Sequence, residues 1–478
     1  MRSFALIGLL AAAALALVGA AQQRQQSCTL EIETARSARS RMTTLPDGET
    51  RNDVWGGIEA TCDGKWLRAD SAVYFNRRGV LYLFWNIQYE DEGRTLVAER
   101  AIYYQDADWV RAEGDVVLTD TAGGSTLSGP VLEYFPTNAA RPIERIFAPQ
   151  RPHLVFNPES GAAGEASPFD VDADRLHIYG DSAIAGQGTV VAVRGDLTAY
   201  GDSMDLDLGR DELWLLGSPS VETEETLLAG DSILILLEES RVREIQAWPN
   251  AWAEGSELSL SAPLLRMFVE GEEITRAVAA AGEPERTGAV DSAGREPWAR
   301  SVSEDYVLTA DSIDIQRPGG RLERVIAVTG ARAATVDPVI PGGELRGTDW
   351  LEGDTITGYF AEPQAGDTTS EVRLSRLAAS GDSAKALYHI YEEAEEGRQP
   401  TQPGLNYVIG RIVTLWLEEG EVQRAQVIGP ALGAYLEPIP IATDVDSTVV
   451  PPDTAGADTL RAIPDTTVSD PARLRGVG

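Results

Sequence analysis

Residues able to do chemistry are few in this chain and poorly placed for it. The three histidines, His153, His177 and His389, are each isolated in the sequence. There is no HExxH, GxSxG or P-loop string, and no GxGxxG leading into a helix. Carboxylates abound, so a pair of acids suited to glycoside hydrolysis has to be considered. Yet Asp70, Asp202, Asp231, Asp311 and Asp354 all hold the same place in a recurring motif. Acids repeated at every corner read as turn formers, because their side chains bond nearby backbone. A catalytic pair would instead depart from the repeat, and none does. The reading is therefore of a protein that is not an enzyme and needs no cofactor. The GGxGxDxxx string of calcium-binding β-solenoids is absent as well, so no dedicated metal site is expected, with incidental divalent binding at the acidic corners as the alternative.

Two cysteines, Cys28 and Cys62, remain. An even count in an exported chain reads first as a disulfide. It would close a loop of about 33 residues, which the chain-entropy argument credits with roughly 3–4 kcal/mol. Two free thiols are the alternative. No CxxC spacing supports a redox role. The ten tryptophans could line an aromatic groove for sugars, but their scatter favours packing roles.

The elements that carry these residues are strands. Short runs alternate apolar and polar residues, as in Met204-Asp205-Leu206-Asp207-Leu208 and Ile313-Asp314-Ile315, with Gly, Asp, Asn and Pro between them. Residues 380–397 suit a helix by their Ala, Leu and Glu content and a strand by their opening motif, and both readings stay open. The runs recur. ADSAVYF (69–75), AERAIYY (98–104), YGDSMDLDL (200–208), AGDSILILL (229–237), TADSIDIQ (309–316) and EGDTITGYF (352–360) each start at a small or polar corner and continue as a strand. A second strand follows, as in GVLYLFWNIQY, SRVREIQAWPNAWA and GRLERVIAVTGA. Well-matched neighbours are spaced by about 29–30 residues, a period that signals a stacked array. A two-stranded ribbon is marginal alone and must stack to bury its apolar face. The expected fold is all-β: an elongated, curved folded-sheet array of repeated two-stranded units.

The 75 acidic residues outnumber the 40 basic ones and give a net charge of −35. Nucleic acid and anionic lipid headgroups are unfavourable partners for such a surface. Solubility and protection of edge strands are what it favours. At the N-terminus, Arg2 precedes an apolar run over 5–21 that ends in small residues. That pattern predicts a signal peptide over 1–21, cleaved near Ala20 or Ala21, and a periplasmic destination, with outer-membrane association as a further expectation. An uncleaved anchor is the alternative. Gln25-Gln26-Ser27 before Cys28 does not suit lipidation. Beyond the signal, the reading divides the chain into β-segments at 22–135, 171–282 and 306–440. Insertions separate them at 136–170 and 283–305, and an acidic Pro- and Thr-rich disordered tail occupies 441–478.

The repeat resembles the OstA-like family, which comprises the periplasmic lipopolysaccharide-transport protein LptA and the N-terminal periplasmic domain of the translocon LptD. The carrying segments are LRADSAVYF at 67–75, TLVAERAIYY at 95–104, AEGDVVLTD at 112–120 and TLSGPVLEYF at 126–135, with GPALGAYLEP at 429–438 like a closing segment. The resemblance covers most of residues 60–440. It implies a β-jelly roll open along one side, with lipid acyl chains in the groove between its faces. It also implies edge-strand joining to other lipopolysaccharide-transport jelly rolls, and end-to-end self-association. Leu206, Leu208, Ile233, Ile235, Ile313 and Ile315 are the inward residues expected to touch a lipid. The chain departs from the family in its length, its insertions and its acidic tail, and it lacks the aromatic-girdled strands of a transmembrane barrel. Two functions are expected: a bridge that binds and passes lipopolysaccharide or a similar glycolipid, or a non-catalytic envelope scaffold with a dry core. An apolar groove open to solvent favours the first and a sealed core the second.

Overall fold

A computed structural model describes residues 31–34, 38–62, 64–91, 93–157, 167–239, 241–256, 258–271, 273–281, 298–304, 306–336, 348–361, 373–390, 401–402, 404–418, 421–437, 439–440 and 475–476. The fold is all-β. Among the described residues the sole helical element is a 3-10 turn at Pro318–Gly320. The chain divides between Leu215 and Leu216 into two compact units. This differs from the three segments read from composition.

In the first unit the strands form an antiparallel meander. Thr50–Cys62 pairs with Lys65–Phe75, which pairs with Val80–Asp91; Arg94–Tyr104, Trp109–Asp120 and Thr126–Phe135 follow in turn. Each of these pairings slips register near the middle of its strands, and the extra residue sits on every second strand. Trp55 pairs with Ser71 and Ile58 with Ala69, so Gly56 and Gly57 oppose the single residue Asp70. Trp85 and Asn86 oppose Glu99 in the same way, Gly114 and Asp115 oppose Pro130, and Gly188 and Thr189 oppose Asp202. Two residues against one is a β-bulge, which bends the strand and tightens its twist. The doubled residues all take positive φ, for example 67° and 49° at Trp85 and Asn86. Stacked bulges fold the ladder along one line, the apex, into two facing arms. The hairpin turns of both arms lie at the opposite side, the mouth.

The second unit repeats the plan. Thr329 and Gly330 oppose Asp354 between the strands Arg324–Thr335 and Trp350–Ala361. Elsewhere the bend is wide enough to split a strand in two, as between Arg241–Trp248 and Ala251–Gly255, where Asn250 has φ 59°.

Of the Asp corners of the sequence, Asp70, Asp202 and Asp354 lie inside strands, while Asp231 and Asp311 lie in the short breaks between two strands. Asp70-Ser71 sits in Lys65–Phe75, and the chain carries on through it. The acid faces the next strand's corner: Asn86 Nδ2 donates to Asp70 at 2.6 Å and Asn250 Nδ2 to Asp231 at 2.6 Å. At Asp354 the backbone N–H of Asp382 is the donor.

Two boundary expectations change. The insertion over 136–170 contains the strands Arg145–Pro149 and His153–Phe156, both paired into the ladder. The insertion over 283–305 contains Ala299–Val302, paired with Ser259–Ala262 and Tyr306–Ala310. Residues 380–390 are strand, within Arg373–Ile390; residues 391–397 lie outside the described residues. So do the expected signal peptide, residues 1–21, and nearly all of the expected tail, of which Arg475–Gly476 pairs with Ala434 and Tyr435.

Candidate functional site

The interior between the arms is the feature that both units build. Alternation along each strand sends every second side chain inward. Register then lines these side chains into rows that cross the ladder. In the second unit one row runs Ile233, Ala247, Leu265, Ala279, Ile313, Ala327 and Ile356. Large and small residues alternate along it, which lets facing layers interdigitate. The next row towards the mouth runs Ile235, Ile245, Met267, Ala277, Ile315 and Val325.

Four of the six residues expected to touch lipid fall in these two rows. Ile233, Ile235, Ile313 and Ile315 are each no more than 1% exposed. Leu206 is equally buried in the first unit, paired with Ile184. Leu208 is half-buried and follows the strand Leu197–Asp207. These side chains thus face inward and pack against the protein's own atoms. The pairing of Cys28 with Cys62 lies outside the described residues.

Next to the apex small inward residues face large ones across the ladder: Ala69 pairs with Ile58, Ala98 with Ile87 and Ala379 with Ile356, all buried.

The mouth of the first unit is closed by polar groups. Lys65 Nζ, at the end of one arm, lies 2.7 Å from Asp108 in a turn of the other. Arg94 reaches across the mouth to Glu144 at 2.6 Å and Asp181 at 2.5 Å, and along its own arm to Asp120 at 3.0 Å. Burial alone would pull the Arg94 guanidinium down. The hydrogen bond and charge of Glu144, with Asp181 and Asp120, outweigh burial and hold it above its ordinary value.

Beside this network Tyr89 and Tyr134 meet edge to face and both donate to Asp91 Oδ2, at 3.0 and 2.8 Å. Burial pushes the Asp91 carboxyl up, against the lowering effect of the two tyrosine hydrogen bonds and Lys65. Asp91 Oδ1 is buried with no hydrogen-bond partner among the described residues, which fits a group that gains from holding a proton. Burial and the Asp91 charge together push both tyrosine hydroxyls far up.

Among the described residues, the mouth of the second unit is lined mostly by apolar side chains. A cavity of about 40 Å³ lies between its arms, lined from one arm by Ala253, Leu258 and Leu260 and from the other by Met267, Ile274, Ala277 and Ile315. At its rim Arg317 lies 3.4 Å from Glu225 across the mouth, and Glu225 is largely exposed.

The tryptophans stand outside the core. None of the ten tryptophans is buried; each stands at an outward register or at a corner. Trp109 stacks on Tyr104 and Phe135 across three strands of the first unit, at centroid distances of 4.3 and 5.1 Å.

Neither the polar mouth nor the cavity was visible in the sequence. Glu144 and Asp181 lie 50 and 87 residues from Arg94, and nothing local links them. The available signal was tyrosine at inward register, at Tyr89, Tyr103 and Tyr134. A buried phenol needs a hydrogen-bond partner.

These features define a class: an antiparallel β-array folded by a line of bulges over an apolar interior. Set against known proteins, the chain matches no protein-family model and no curated protein.

Proposed function

We propose that this is an exported, non-catalytic envelope protein that takes the acyl chains of a glycolipid, lipopolysaccharide or a close relative, between its two arms. The apolar cavity between the arms of the second unit carries this reading. There the rows of aliphatic residues reach a mostly apolar cavity, with Thr226, Ser256 and Arg317 as its polar lining. Affinity would come from apolar burial, at roughly 25 cal/mol per Å², because a net charge of −35 repels an anionic headgroup. The repeat's resemblance to the OstA-like family supports the same reading and adds edge-strand partners of like fold. The second reading is a dry scaffold, and the near-complete burial of Ile233 and Ile313 favours it.

Adjacent positions on one strand separate the two. A photocrosslinker at Ile315 faces the cavity, while one at Asp314 faces outward. Incubated with lipopolysaccharide, the full chain should crosslink to lipid from 315 and not from 314. Organic extracts of protein purified from envelopes should contain the same lipid. Equal labelling at both positions, or at neither, rejects the carrier and leaves the scaffold.

A further inference from the structure

His153 stands half-buried on the outward face of the strand His153–Phe156, between two carboxylates of the neighbouring strand Phe169–Asp172. Its Nε2 lies 3.3 Å from Asp170 Oδ1 and its Nδ1 lies 3.2 Å from Asp172 Oδ1. Register explains the convergence. His153 is the Cα partner of Asp172, and Asp170 is two residues further along the same face. Directly opposed and diagonal positions on one face of an antiparallel pair are the ones whose side chains meet. One donor atom from each of the three lies within 4.8 Å of the others.

Two observations set this cluster apart from the ion pairs elsewhere on the ladder. Among the described residues, the ion-pair partner of Asp170 and of Asp172 is His153 alone, with no Lys or Arg in reach. With a neutral imidazole the cluster therefore holds two carboxylate charges uncompensated. The positions beside it on the adjoining strands are Ser128, Val191 and Val193, which bring no competing charge. Like charges held close on a paired ladder destabilise it, and a divalent cation removes that cost.

The donor set fixes the chemical class. Calcium and magnesium take oxygen ligands almost exclusively. One imidazole nitrogen with carboxylate oxygens suits a divalent first-row transition cation such as zinc. We propose that His153, Asp170 and Asp172 form a binding site for such a cation, with water completing its coordination. The cation would staple two strands of only four residues each. This site is independent of any lipid between the arms.

The test uses untagged full-length protein stripped with chelator and titrated with Zn²⁺ by calorimetry, and with Co²⁺ by its visible absorption. One equivalent should bind, unaffected by excess Mg²⁺. His153→Ala and Asp170→Asn should each weaken binding by about tenfold or more, with an unchanged far-ultraviolet spectrum, while His177→Ala leaves binding as it was. Added Zn²⁺ should raise the melting temperature of the parent protein and not of His153→Ala. Equal affinity in parent and His153→Ala, or no saturable binding, overturns the assignment. Should His153→Ala lose its fold, imidazole resonances of the parent protein decide: those of His153 must shift on adding Zn²⁺, and unchanged resonances overturn the site.

Discussion

The mouth of the first unit and the mouth of the second stand on the same folded ladder and are closed by different chemistry. In the first, Lys65, Arg94, Tyr89 and Tyr134 are tied to Asp108, Glu144, Asp181 and Asp91. In the second, Met267, Ile274 and Ile315 face Leu258 and Leu260 across a small cavity, and the pair of Arg317 with the exposed Glu225 spans the gap. Bulges and alternation make the arms alike. A few residues at the strand ends set the chemistry of each closure.

The largest expected effects test the likeness of the interiors. Leu83 and Ile313 are both wholly buried, so Leu83→Ala and Ile313→Ala should each cost about 2–5 kcal/mol, read from hydrogen exchange in their own strands. A cost well below that at Ile313 would mean that the second interior is loosely packed. The mouths should then differ. Arg94→Met leaves Glu144 buried without its partner and should destabilise the first unit by about 3–5 kcal/mol. The Arg317–Glu225 pair, whose acid is largely exposed, should contribute about 1 kcal/mol or less when isolated by a double-mutant cycle. Equal costs would dissolve the distinction.

A smaller effect depends on pH. The Asp91 carboxyl is raised in the folded protein above its ordinary 3.8, so the folded state binds this proton more tightly than the unfolded one. Its contribution is complete below the ordinary value and is lost as pH rises through the raised one. Asp91→Asn should flatten that part of the stability profile of the first unit; an unchanged profile contradicts the assignment. The smallest difference is at the corners. An added Cβ at Gly114, where φ is 79°, would lie 2.5 Å from Glu99 Oε2, whereas at Gly330 it meets open space. Gly114→Ala should cost about 1–3 kcal/mol and Gly330→Ala about 1 kcal/mol, both read from thermal unfolding.

Much of the ladder was legible before the coordinates. Met204 and Leu206 are buried on a strand where Asp205 is exposed, as their alternation predicts. The corners were legible as residue types but not as places. Asp-Ser and Gly-rich pairs suit a hairpin turn and a bulge equally, because both need left-handed backbone and side chains that bond it. Only pairing tells them apart, and pairing put Asp70 inside a strand. Residues 380–390 show propensity overruled: Ala384 and Ala386 pair with Gly410 and Val408 and lie buried in a strand. The mouths were not legible at all, since their partners come from turns several strands apart.

The central claim is that the second unit's interior opens to lipid. Three methionines report on it without altering packing. Met42 is exposed, Met204 lies inside the first unit and Met267 lines the cavity of the second. Protein carrying photo-methionine, irradiated with lipopolysaccharide and digested for mass spectrometry, should show lipid adducts on the Met267 peptide, fewer on that of Met204 and none on that of Met42. Adducts on Met42 alone, or none on Met267, would contradict the account.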